Sequence, residues 1–304
     1  LAEPIAFPAQ LRVVTVWFPG SLRATANSVS VAGSSIGSII APPLVAWLAI
    51  HWNWHVAFLV PGCVGFLLVG LWWGVYRDPV GEIEALNHRS IGALKLGRVF
   101  GWGELWGRRS LWGLILCRFV SDPVWYFCLF WFPGYLQEHS GLSLAQVGKV
   151  GWIPFLAADL GGIATAMWSD RMVVRRGMEP LRARKVMLCV VAMAGPVCAL
   201  VPGCSRGWEV IGIFSLVGVV CLSWLFSLSV VIAEAFPAGN VGSVLGIAGG
   251  FGAAGAIVFN NYVGRMMQSF GSGRIFLVMA LLHPVAAVIL WTMTRRENPV
   301  GETR

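Results

Sequence analysis

Inside an otherwise apolar run, Arg118 and Asp122 stand four residues apart, which is one helical turn. A lone charge in such a run is costly, so the two are expected to neutralise each other or to face a central cavity. Pro123 follows directly and loosens the helix, exposing a carbonyl. Trp125, Tyr126 and Trp131 come next, with Tyr126 on the face of Asp122. Rings against an apolar sugar face, with polar groups for its hydroxyls, are what a sugar site needs, although ordinary bundle packing would explain each ring taken singly equally well. Asp159 lies in the middle of another apolar run and is a functional candidate for the same reason. Trp224 and Ser227 could line the cavity from a further run, and Glu234 ends that run, where a loop-facing salt bridge is expected. Asn260 and Asn261 are adjacent amides inside a run, costly unless bonded, and one of them is expected to meet the ligand.

Other chemistries lack their residues. The seven cysteines contain no CxxC pair and no histidine at metal-ligand spacing, so they read as small hydrophobes. "GFGAAG" at Gly250–Gly255 fits G-x-G-x-x-G, but no strand precedes it, and close helix contact explains its glycines. No serine–histidine pair or phosphate loop supports an enzyme, and no cofactor is called for.

The elements that must hold these residues follow from composition. Of 304 residues 57% are hydrophobic and 12% charged, and the mean hydropathy is +0.73. That much apolar surface exceeds what one soluble core can hide, so lipid is the solvent for much of it. The net charge of +8 could signal nucleic-acid binding. Here the basic residues sit in short loops between oily runs, and no nucleic-acid role is expected.

Eight runs approach or exceed the roughly 20 residues that cross hydrocarbon. They are Ala26–Trp47, Trp54–Tyr76, Leu111–Leu136, Val150–Trp168, Val186–Val201, Val210–Ala233, Gly242–Met266 and Ile275–Met293, preceded by an apolar stub. Seventeen of the 22 Lys and Arg fall in one set of alternating segments, which includes residues 77–110 and the C-terminus, against four in the other. The positive-inside rule puts the first set in the cytoplasm. Trp47, Trp52, Trp54, Trp152 and Trp208 lie near span ends, as an interfacial belt requires.

A weak internal repeat runs at an offset of 218, pairing Phe18 with Phe236, Pro19 with Pro237, Gly37 with Gly255, Ile39 with Ile257 and Val45 with Val263. It divides the chain into 1–76, the remainder of an N-terminal bundle (the end of a fourth helix, then the fifth and sixth); 77–110, a cytoplasmic central loop; 111–294, a six-helix bundle; and 295–304, a cytoplasmic tail. The second half starts near Leu111, so its partner should start about a hundred residues before Leu1. The chain is therefore expected to be an N-terminally truncated fragment, all-α and membrane-embedded.

Two six-helix halves around a basic loop resemble the major facilitator superfamily. "WSDRMVVRRG" at Trp168–Gly177 looks like that family's acidic–basic loop signature, with Ala166 where a glycine is usual. By the resemblance Asp170, with Arg171, Arg175 and Arg176, would pair across the cytoplasmic helix ends in one state. "SDPVWYFCLFWFPGYL", "FLAADLGG", "AEPIAFP" and "WFPGSLRA" resemble the anion:cation symporter branch, and most its hexuronate transporters. The resemblance implies proton-coupled symport of a sugar acid such as galacturonate or glucuronate across the inner membrane, by a monomer whose partners are that small organic anion and the bilayer. A carrier for galactonate, tartrate, phthalate or an aromatic acid, or a non-functional fragment, is the alternative. It assigns proton coupling to Glu3 and a substrate contact to Ser34, although helix packing beside Gly33 and Gly37 would explain Ser34 equally. Near Ser227 relatives have Asn, and at Asn260–Asn261 they tend to have Pro-Leu.

Overall fold

The computed structural model describes residues 9–11, 13–15, 17–19, 21–77, 99–140, 146–147, 150–270 and 273–297. Every regular element among them is helical: α1 (Arg23–His51), α2 (Trp54–Val75), α3 (Trp102–Trp106), α4 (Arg109–Ser140), α5 (Ile153–Arg176), α6 (Pro180–Ala192), a 3-10 segment (Gly195–Gly203), α7 (Gly207–Ala235), α8 (Ala238–Phe270) and α9 (Gly273–Met293). Glu3 and most of the central loop lie outside the described residues.

Among the described residues six stretches are long and apolar enough to cross a membrane: Trp54–Val75, Arg109–Phe132, Pro180–Gly203, Gly207–Ala235, Ala238–Met266 and Gly273–Met293. Helix α5 has the length, 24 residues, but its polar content dilutes its hydropathy, and α1 spans 29 residues. The run expected at Val186–Val201 proves longer and broken. It starts at Pro180, leaves α-geometry after Ala192 and continues as the 3-10 segment. Pro196 has no N–H for the carbonyl four residues back, which is Ala192, so the ladder cannot run through.

Start and stop chemistry explains the other ends. Pro154 and Pro180 occupy first-turn positions, where a missing N–H costs nothing. Gly177 ends α5 at φ 61°, a left-handed conformation that glycine adopts freely. Phe18–Pro19 interrupts the helical chain ahead of α1, and Phe236–Pro237 does the same between α7 and α8.

Helices α4 to α9 pack into one body, with α8 and α9 against α4, α5 against α7, and α6 against α7 and α9. Helix α1 packs on α5 and α7, while α2 touches α1 and turns nearly all its side chains outward. The glycines expected to bring α1 close to a neighbour do not, because a Cβ at Gly33 or Gly37 would meet nothing. In α8 the reverse holds at two of three positions. A Cβ at Gly252 or Gly255 would collide with α4, whereas Gly250 faces open space.

Candidate functional site

Helix α4 sets Arg118, Asp122, Tyr126 and Phe130 one turn apart along a single face. Opposite, α8 presents Gly252, Gly255, Ala256 and Asn260. Bare glycines let the helices approach until the Asp122 carboxylate fills the space where a Gly252 side chain would stand. Arg118 reaches both Asp122 oxygens from Nη1, at 3.5 and 3.4 Å, and donates through Nη2 to Ser229 Oγ at 3.2 Å and the Leu225 carbonyl at 3.5 Å on α7. Ser121 Oγ adds a contact to Asp122 at 3.3 Å. The pair is enclosed, its side chains 6% and 10% exposed, yet every contact to the guanidinium is 3.2 Å or longer and Nε has no partner. A buried cation held by such long contacts retains donors for a further oxygen ligand.

Above this pair lies a groove of about 600 Å³, lined by Tyr126, Phe130, Trp131, Ala253, Ala256, Ile257 and Asn260. At its far end Trp131 Nε1 donates to Asn260 Oδ1 at 2.9 Å, and Asn260 Nδ2 donates to the Ala256 carbonyl at 2.9 Å. One amide hydrogen and one lone pair of Asn260 remain for a ligand. The arrangement offers aromatic walls and a fixed amide, with the enclosed Arg118–Asp122 pair set one turn of α4 before Tyr126, behind the groove lining.

The structure separates the sequence candidates. Of the adjacent amides it is Asn260 that lines the groove, while Asn261 is exposed and bonded only to the Ile257 carbonyl of its own turn, at 2.9 Å. Tyr126 lines the groove. Trp125 turns away to meet Phe155 of α5 edge-on, with centroids 5.9 Å apart. Trp224 does not line the cavity: it is 1% exposed and packs edge-on against His283 of α9 at 5.6 Å. Ser227 is buried inside the bundle, away from the groove lining. Asp159 is buried on α5. Ser34 sits on α1, its side chain outside the described residues. Trp131, whose indole fixes Asn260, had no signal beyond its place in an aromatic-rich run.

A second polar assembly closes the basic-loop ends of the helices. Asp170, at the end of α5, accepts from the Thr25 backbone N–H at 2.8 Å and from Thr25 Oγ1 at 2.5 Å. Thr25 lies in the first turn of α1, where N–H groups lack helical partners and favour an anion. The basic partner of Asp170 is not a neighbouring loop arginine. Arg184 of α6, fully buried, reaches it at 2.6 Å, donates to Ser169 Oγ at 2.7 Å and lies 3.5 Å from Glu234. Arg171, Arg175 and Arg176 stay exposed outside this assembly, and Glu234 is enclosed rather than loop-facing. Asn27 adds a bond to the Phe226 carbonyl at 3.0 Å, and Arg23 turns back to the Phe18 and Thr15 carbonyls. Arg184 went unnoticed because it lies in a run of basic loop residues that sidedness already explains.

Comparison with known proteins decides the lineage. The family model described as Major Facilitator Superfamily matches residues 1–260. The chain belongs to that superfamily. It is an all-α, multi-pass membrane protein and not an enzyme. The hexuronate transporter of Escherichia coli strain K12 is 25% identical over 310 residues, covering 98% of this chain and 71% of the relative. The galacturonate transporter of Dickeya chrysanthemi is 31% identical over 173 residues, covering 54% of this chain and 50% of the relative. Among solved structures, the proton:xylose symporter XylE bound to 6-bromo-6-deoxy-D-glucose aligns with a TM-score of 0.65 at 14% identity, covering 92% of this chain and 66% of that one. At that identity the likeness speaks for the fold. This chain thus spans just under two thirds of the symporter's length.

Proposed function

We propose that the complete protein is a proton-coupled symporter of a sugar acid, with hexuronates such as galacturonate and glucuronate as its class. The observation that carries the reading is the long-bonded Arg118–Asp122 pair one turn of α4 before an aromatic groove that the Trp131–Asn260 couple lines. A substrate carboxylate docks on Arg118 in place of its long contacts, the ring lies along Tyr126 and Phe130, and hydroxyls meet Asn260. The names of the relatives support this substrate class.

The coupling proton is assigned to Glu3, a carboxylate that the apolar opening run would keep from water. Alternating access follows from the two assemblies together. With Thr25, Asp170, Arg184 and Glu234 joined, the molecule is shut on the basic-loop side, which we assign to the cytoplasm. Proton loading at Glu3 and substrate loading at the groove precede the opening of that latch, and the halves then rock about the site.

Uptake assays with the complete protein in proteoliposomes test the reading. Under an inward proton gradient, galacturonate or glucuronate should accumulate, and galactonate, tartrate, phthalate and aromatic acids should compete less well. Accumulation that ignores the gradient would remove symport, and a preference for phthalate or an aromatic acid would remove the hexuronate class.

A further inference from the structure

Three tryptophans stand together where the chain turns from α3 into α4. Trp102 is 65%, Trp106 38% and Trp112 43% exposed. The exposure does not come from a loose segment, because the corner is fastened on both sides. Ahead of it, Phe100 and Asn240 exchange two hydrogen bonds, N–H to Oδ1 at 2.9 Å and Nδ2 to the carbonyl at 3.0 Å. Within it Leu105 is buried, and Trp112 Nε1 donates to the Trp106 carbonyl at 2.9 Å with the rings 5.6 Å apart. Glu104 is turned to the Gly101 N–H at 3.2 Å. Trp106 and Trp112 are thus held against each other, and with Trp102 they present exposed apolar faces at the end of a membrane-spanning helix, the level at which tryptophan meets lipid headgroups.

The basic residues at this end divide into two groups. Arg108 is spent inward, on Glu297 at 3.3 Å and over the Phe100 ring at 4.3 Å. Lys185 caps the end of α9 by donating to the Trp291 and Thr294 carbonyls at 3.1 and 2.8 Å. Arg109 is exposed and, among the described residues, makes no hydrogen bond or ion pair. Arg295 is brought beside it by Ser110, whose Oγ accepts from the Arg295 N–H and contacts the Arg295 carbonyl, both at 3.1 Å. Its side chain is 75% exposed, with Glu297 at 3.7 Å as its ion-pair partner. Glu297 is itself held by Ser110 Oγ at 2.6 Å and by Arg108. Two exposed arginines, on segments that Ser110 ties together, at the same corner as three exposed indoles match an anionic headgroup joined to acyl chains.

We propose that the α3–α4 corner is a docking surface for an anionic phospholipid. Arg109 and Arg295 take the negatively charged headgroup, and Trp102, Trp106 and Trp112 pack against the glycerol and upper acyl carbons. The surface is separate from the α4–α8 groove and does not depend on what the groove carries.

The complete protein in detergent, titrated with phosphatidylglycerol or with phosphatidylcholine and read by native mass spectrometry, tests this. Phosphatidylglycerol should bind in preference to phosphatidylcholine. Arg109→Gln should weaken that binding about fivefold, and Arg109→Gln with Arg295→Gln about 25-fold, from roughly 1 kcal/mol per basic residue near an anionic surface. Arg109→Lys should retain most of the affinity, which separates charge recognition from misfolding. Arg175→Gln with Arg176→Gln removes equal charge from another exposed loop and should leave the binding in place. Equal retention of the two lipids overturns the proposal, as does a loss for the Arg175/Arg176 variant as large as that for Arg109/Arg295.

Discussion

Thr25 and Asp170 lie 145 residues apart and are joined twice, through the Thr25 backbone N–H and its hydroxyl to the same carboxylate oxygen. Arg184 holds the other oxygen at 2.6 Å. The contact ties a helix that precedes the central loop to two that follow it, so it can persist only while those helix ends stay together.

Asp170→Asn should loosen that closure. Hydrogen bonds to charged groups contribute about 1.5–3 kcal/mol each, so the closed fraction relative to the open one should fall by at least about tenfold. The readout is thiol labelling of Ser28→Cys, a fully buried position on α1, measured over the signal from native cysteines. An unchanged labelling rate would rule out the latch.

In the groove, Asp122→Asn should impair uptake far more than Cys128→Ser. Removing one partner of a buried ion pair costs about 3–5 kcal/mol because the other charge is left uncompensated. Cys128 is a buried thiol in an apolar cluster and is not one of the residues that line the groove. Initial uptake rates at equal expression check the order, and the reverse ranking would count against the site.

Gly252→Ala should be harmful where Gly246→Ala is not. A Cβ at Gly252 enters the space of the Asp122 carboxylate, whereas one at Gly246 meets nothing. Overpacking typically costs about 1–3 kcal/mol. Thermal unfolding in detergent should therefore show a lower midpoint for the first variant only.

Asn260→Ala should raise the KM for substrate, and Asn261→Ala should leave it near the parent value. The first change strips the Trp131 indole of its acceptor; the second removes an exposed amide bonded within its own turn. Leaving a buried donor unsatisfied costs about 1–3 kcal/mol. Equal effects would mean that the groove is not where hydroxyls are read.

Glu3→Gln should abolish gradient-driven accumulation while leaving substrate exchange between equal pools. Accumulation that still follows pH in this variant would refute the coupling assignment.

The long apolar runs made the helices legible, since their lengths match hydrocarbon thickness whatever their partners are. The Arg118–Asp122 pair was legible too, because one helical turn fixes its spacing without help from tertiary structure. Contacts between helices were not. Trp224 reads as a cavity residue from its position in a span, yet rotation of α7 aims it at His283. Arg184 reads as one more loop cation, and only the packing of α6 on α5 and α7 carries it between Asp170 and Glu234. Choosing Asn260 over Asn261 required knowing which side of α8 meets α4, about 100° of rotation that adjacent amides cannot encode.

The interruption between α6 and the 3-10 segment has a mechanical side. A 3-10 turn rises about 2.0 Å per residue against 1.5 Å for an α-helix, and at Met193 and Ala194 the ladder shortens its step, Met193 N–H reaching the Val190 carbonyl at 3.2 Å and Ala194 N–H the Val191 carbonyl at 3.0 Å. The span is built as two rods of different pitch. Its lower rod is bolted to the Asp170 assembly by Arg184 and to α9 by Lys185, while its upper rod rests on α9 near His283 through Gly195. The two rods are thus fastened to different partners, and the change of pitch between them falls where those two sets of contacts meet.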